Sequence, residues 1–277
     1  GSAFLPAIYQ GTKIGRSVGR FAQRFGGSQR AVIPDVKNSK INSRQQRQQL
    51  DFIQELNRQK LNRDGNHPGV EGVIESFELA FRMQDALPEV MDISKESEGT
   101  KALYGIGDGP SDSFGRQCLA ARRLVESGVR FVEVTHGNWD HHQDIKTALP
   151  KKCSEIDKPI AGLLQDLKNR GLLKDTLVIW SGEFGRTPAA QNRAGRDHNN
   201  RGYTSWMAGG GVKGGMSYGS TDEHGYEAVE GKCHIHDWHA TILHLLGLNH
   251  KQLTYRYAGR DFRLTDVYGE VLKDIMI

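Results

Sequence analysis

Apolar positions recur at helical spacing over the first half of the chain and give way to short apolar runs in the second. Over residues 43–62, Leu50, Phe52, Ile53, Leu56 and Leu61 lie among Arg44, Arg47, Arg58 and Lys60. That predicts an amphipathic helix with a solvated basic face. A second helix is predicted over 70–86 from Val73, Phe77, Leu79, Ala80, Phe81 and Met83, ended by Pro88. The glycines Gly105, Gly107 and Gly109 make 97–111 a loop. A third helix, over 113–127, carries Phe114, Cys118, Leu119, Ala121 and Leu124 and stops at Gly128.

From there the pattern becomes strand–helix–strand. Residues 129–135 read as a strand. Pro159 opens a helix with Ile160, Leu163, Leu164 and Leu167 at i, i+3, i+4 and i+7, closed by Gly171. The run 176–181 suits a parallel strand covered on both faces. A third strand is expected at 204–208, and a helix capped by Asp237 runs to Leu246. The fold class this implies is α/β: a mostly parallel sheet flanked by helices.

Composition narrows the picture. The apolar set is 37% of 277 residues, and no stretch approaches the roughly 18 consecutive apolar residues of a spanning helix. Three widely spaced cysteines, Cys118, Cys153 and Cys233, allow at most one disulfide and form no Cys-x-x-Cys pair. Gly1-Ser2 reads as the scar of a removed tag. Residues 1–63 hold twelve Lys or Arg against Asp35, Asp51 and Glu55, although the net charge of the whole chain is only +4. We expect residues 1–38 to be an extended basic arm and 39–277 the α/β domain. Without an aromatic stacking platform the charge does not make a nucleic-acid binder.

In open α/β sheets, ligands bind beyond the carboxyl ends of the strands, and chemically capable residues cluster there. After the first expected strand comes His136-Gly-Asn-Trp-Asp140-His141-His142-Gln-Asp144. After the second comes Ser181-Gly-Glu183-Phe-Gly-Arg186, and further on Gly195-Arg-Asp197-His198-Asn199. Imidazole and carboxylate together suit a divalent metal, and Zn, Mn, Ca or Mg is expected. The plain alternative is a set of surface loop residues, because His and Asp favour loops. Arg186 would grip a tetrahedral oxyanion with its planar fork, or form an ion pair with Glu183 or Asp197. Gly209-Gly-Gly-Val-Lys213-Gly214 has glycine-motif spacing but no helix after it, which argues against a dinucleotide site. His234, His236, His239 and His244 read as core or surface histidines.

The runs RFVEVTHGNWDHH, GLLKDTLVIWSGEFGRTP, GRDHNNRGYTSWMAGGGVKGG and HDWHATILHLLGL resemble the bacterial family called domain of unknown function 1501. So do FELAFRMQDALPEV, FGRQCLAARRLVESGVRF and GRDFRLTDVYGEVL, so the resemblance covers most of the chain. It implies an alkaline-phosphatase-like, sulfatase-like fold, export from the bacterial cytoplasm, and an amino-terminal part that this chain lacks and that would supply the nucleophile. By that resemblance His136, Asp140, His142, Glu183 and His198 are candidate metal ligands; Arg186 and Asp197, beside them, are candidate catalytic residues. Phe184 stands where the superfamily pattern has a second ligand. Cys118-Leu-Ala-Ala-Arg122 fits a relaxed sulfatase signature, but it sits in an amphipathic helix where Cys118 packs. The expected activity is metal-dependent hydrolysis of sulfate or phosphate esters of small molecules or glycans. The alternative is a non-catalytic scaffold that keeps the fold.

Overall fold

A computed structural model describes residues 11, 14, 40–65, 68–192 and 194–277. The arm expected over 1–38 lies outside the described residues apart from 11 and 14. The chain divides into two compact units, residues 1–96 with 123–132, and residues 97–122 with 133–277.

In the first unit, α1 (Ser43–Asp64) begins with a reciprocal cap. The Asn42 side chain accepts from Gln45 N at 2.9 Å, and Gln45 returns a bond to Asn42 N at 3.2 Å. The face it turns to α2 (Pro68–Met91) is Arg47–Leu50–Gln54, which keeps Leu50 of the expected apolar stripe but not Phe52, Ile53 or Leu56. Gln54 donates to Ile74 O at 2.7 Å, and Arg47 pairs with Glu78 at 2.8 Å while lying over Phe81. Polar partners on α2 therefore select this face, and Phe52, Ile53 and Leu56 are left exposed. Pro88 does not end α2. In the last turn it removes only one backbone bond, and the helix continues to Met91. Arg123 secures the following segment by donating to Val90 O, Glu89 O and Glu96. Residues 129–135, expected as a strand, form no ladder among the described residues.

The second unit is built on α3 (Glu98–Leu103), residues 112–122 of α4 (Asp112–Glu126) and α5 (Ile145–Asn169). The turn at Leu103–Tyr104 fits against α4 and α5 only because Gly115 and Gly162 present no Cβ. A methyl at either would overlap the Tyr104 or Leu103 carbonyl oxygen. Around that turn Tyr104, Phe114, Cys118, Leu119, Ile156 and Leu167 are buried. Asp166 ties the helices together. It accepts from Tyr104 Oη at 2.9 Å, pairs with the buried Arg122 at 3.0 Å and accepts from Arg170 at 2.8 Å. Pro159 does not start a helix. It is buried within α5, which begins fourteen residues earlier and runs through Pro150 as well.

All strand pairs among the described residues are antiparallel. β1 (Val178–Trp180) pairs with β4 (Trp206–Ala208), β2 (Gly185–Gln191) with β3 (Gly195–Asn199), β5 (Ser220–Thr221) with β6 (Ala228–Glu230), and β7 (Thr254–Tyr257) with β8 (Arg260–Arg263). The mostly parallel sheet expected from the strand–helix–strand pattern is not among these pairings. α6 (Ile235–Leu245) is capped by His234, with Asp237 as the returning partner three residues on. Among the described residues no helix is long and apolar enough to cross a membrane.

Candidate metal centre

Two pieces of chain form the site: the loop before α5 and the β2–β3 hairpin. Pairing register sets Arg186 directly opposite His198, so their side chains are cross-strand neighbours. The register shifts between Arg186 and Ala190, a span that holds Pro188, which a regular ladder would not accommodate. Thr187 fills the irregularity, its hydroxyl accepting from Asp197 N at 3.1 Å.

The loop is held by its own bonds. His136 Nε2 lies 3.0 Å from Glu155 on α5, and Trp139 Nε1 donates to His136 Nδ1 at 3.0 Å. Asn138, at φ 66°, turns the chain between them. Further along, Arg196 N donates to His141 O at 3.0 Å and Ile145 N to Ala194 O at 3.2 Å. Gly195 makes this docking achievable, because a side chain there would collide with the His142 backbone.

Asp140 Oδ1 is where the donors converge. His142 Nε2 and His198 Nε2 each lie 2.9 Å from it, 3.2 Å from one another, and Arg186 Nη2 lies 2.6 Å away. Bonds from Arg186 and then from His198 hold the Asp140 carboxyl well below the usual carboxylate range, so it is ionised at any ordinary pH. Asp140, His142 and His198 can each offer one ligand atom to a metal ion. A tetrahedral ion with ligand bonds near 2.0–2.1 Å needs donors roughly 3.3 Å apart. Opening the observed spacings by a few tenths of an ångström meets that, so a two-His, one-carboxylate set fits a divalent cation.

The other expected residues lie elsewhere. His136 is engaged by Glu155 and Trp139, and burial with nearby Lys152 outweighs Glu155 to lower its pKa. Glu183 is exposed between β1 and β2, outside the group. Asp197 accepts from the His198 backbone at 2.8 Å. Arg186 pairs with Asp140 rather than with Glu183 or Asp197, and it also donates to Arg196 O at 3.1 Å and Trp139 O at 3.2 Å. It braces the site more than it reaches outward.

Three participants carried no sequence signal. Gln191 Oε1 lies 2.7 Å from His142 Nδ1, Phe184 stacks on the His198 ring at 4.1 Å, and Gly195 admits the loop. Cys118 is buried in α4, which pushes its thiol up to about 12, as a packing residue rather than a nucleophile. His234 caps α6, His236 stacks on Tyr268 and His239 bonds Ile235 O, and none of them joins a metal group among the described residues.

No curated protein and no solved structure matches the chain significantly. One family model does, over residues 1–276: the chain belongs to the family described as "Protein of unknown function (DUF1501)".

Proposed function

We propose that this chain carries the metal-binding part of a sulfatase-like or phosphatase-like hydrolase within the alkaline-phosphatase superfamily. It would act on sulfate or phosphate esters of small molecules or glycans. The observation that carries the reading is the convergence of His142, His198 and Arg186 on the single oxygen Asp140 Oδ1. His142, His198 and Asp140 would hold the ion. A divalent cation bound there supplies Lewis acidity and a more acidic water.

The residues of the chain define the rest. Arg186 holds Asp140 and the carbonyl of Trp139, fixing the loop against the hairpin. Phe184 covers one face of the His198 ring and limits its rotation. One carboxylate stands against one guanidinium, so a dication leaves the site positive and in need of an anion. A sulfate or phosphate ester provides that charge, and its hydrolysis transfers the sulfuryl or phosphoryl group to water.

One observation favours a second reading, a binding or scaffold protein that keeps the metal. The Asp140 side chain is 65% exposed, an open setting in which little water is excluded from a bound ester. Turnover of an aryl phosphate and an aryl sulfate, with Zn, Mn, Ca or Mg and with or without chelator, separates the two. Hydrolysis predicts chelator-sensitive turnover that Asp140→Asn abolishes. Stoichiometric metal with no turnover of either ester refutes the hydrolase and leaves the scaffold.

A further inference from the structure

We infer that Gln191 is a positioning residue that selects the His142 tautomer able to bind a metal. This rests on the metal site proposed above and specifies how one of its ligands is prepared. A neutral imidazole carries one N–H and one lone pair, and a partner on one nitrogen decides which form is present.

Gln191 Oε1 lies 2.7 Å from His142 Nδ1, and an amide oxygen can only accept. Nδ1 therefore carries a proton, and Nε2 is the ring atom turned toward Asp140 Oδ1 and His198 Nε2, the one left to bind a metal. Partners of this kind fix ring orientation and raise ligand basicity, and their loss typically lowers metal affinity by about 10–100-fold.

The hairpin makes the contact available. The register irregularity after Arg186 re-aims the end of β2, where Gln191 pairs with Gly195. The same Gly195 lets the His142 backbone approach. One turn of chain thus sets both the distance of the loop and the protonation pattern of its histidine. Phe184, on the other side, orients His198 by stacking, with ring planes 28° apart.

The test compares Gln191→Met, which removes the acceptor, with Gln191→Glu, which keeps an acceptor oxygen. Long-range proton–nitrogen NMR of the metal-free full chain reads the His142 tautomer, and competition with a chromophoric chelator reads zinc affinity. A proton on Nδ1 is expected in wild type and in Gln191→Glu, and its loss in Gln191→Met. Zinc affinity is also expected to fall about 10–100-fold in Gln191→Met and to be restored to within about threefold in Gln191→Glu. The Nε2–H form in wild type overturns the inference, as does equal weakening in both variants, which would mean that Gln191 acts by packing. If wild type binds no zinc, the metal reading itself fails, while the tautomer still decides the role of Gln191.

Discussion

Replacing Gly195 with alanine should open the candidate metal centre from a position that touches no ligand side chain. A Cβ at 195 would overlap the His142 carbonyl and lie 2.6 Å from Gln143 N, both parts of the backbone. Reaching ordinary contact moves the 140–143 loop off the hairpin by roughly an ångström. That shift breaks the Arg196 N to His141 O bond at 3.0 Å and the Ile145 N to Ala194 O bond at 3.2 Å. Two such bonds are worth about 1–3 kcal/mol together, and overpacking costs a further amount of order 1 kcal/mol. A loss of about 3 kcal/mol corresponds to a Tm lower by about 6–12 °C in a unit of this size. The same movement takes Asp140 and His142 away from His198 and Arg186, and zinc affinity should fall by at least about tenfold. Gly137→Ala is the matched control, because a Cβ there meets nothing within 4 Å. It should change stability by less than about 0.5 kcal/mol. Thermal unfolding with zinc titration of both variants decides the matter. A Gly195→Ala protein with wild-type Tm and wild-type zinc affinity refutes the argument that loop and hairpin must touch backbone to backbone.

Other consequences follow from the same geometry. Asp166→Asn removes the carboxylate paired with the buried Arg122 and should destabilise by about 3–5 kcal/mol in urea; a cost below about 1 kcal/mol would show that the ion pair does not hold the helices together. His136 has a folded-state pKa below its ordinary value near 6.5, because burial and Lys152 disfavour its charge. Its contribution is therefore complete above about pH 6.5 and is lost as the pH falls through the folded value. Urea midpoints should drop from pH 7 to 5 in wild type and drop less in His136→Gln, and identical slopes in the two proteins would refute this. Cys118, buried with its thiol pushed up to about 12, should resist alkylation in the native protein while exposed Cys153 reacts. Labelling of both at similar rates would contradict the packing of α4.

Much of the helical scaffold was legible because its signals are local. Both α1 and α4 follow from the apolar periodicity of their residues, and the structure adds the Asn42 to Gln45 capping box at the start of α1. Where sequence reading failed, a long-range partner had overridden a local rule. Pro159 looked like a helix start, yet α5 begins at Ile145 and runs through it, with Pro159 buried. Phe52 and Leu56 looked like a buried stripe, yet Gln54 and Arg47 took that face because Ile74 O and Glu78 were waiting on α2.

The candidate site divides in the same way. Asp140, His142, His198 and Arg186 were visible as residue types suited to a metal or an anion. That Arg186 would face His198 was not, because 185–199 read as two separate loops rather than one hairpin. His136 and Glu183 have the right chemistry, but His136 is committed to Glu155 and Trp139 and Glu183 stays in solvent. Gln191 and Phe184 are ordinary residues whose roles exist only once the hairpin closes beside the loop.

The most direct test of the account is the metal stoichiometry of the purified chain after zinc loading and dialysis, measured by mass spectrometry beside an Asp140→Asn, His198→Ala double variant. The account predicts close to one zinc per wild-type chain and none in the variant. Equal zinc in both proteins, or none in wild type even with Mn, Ca or Mg supplied, would contradict it.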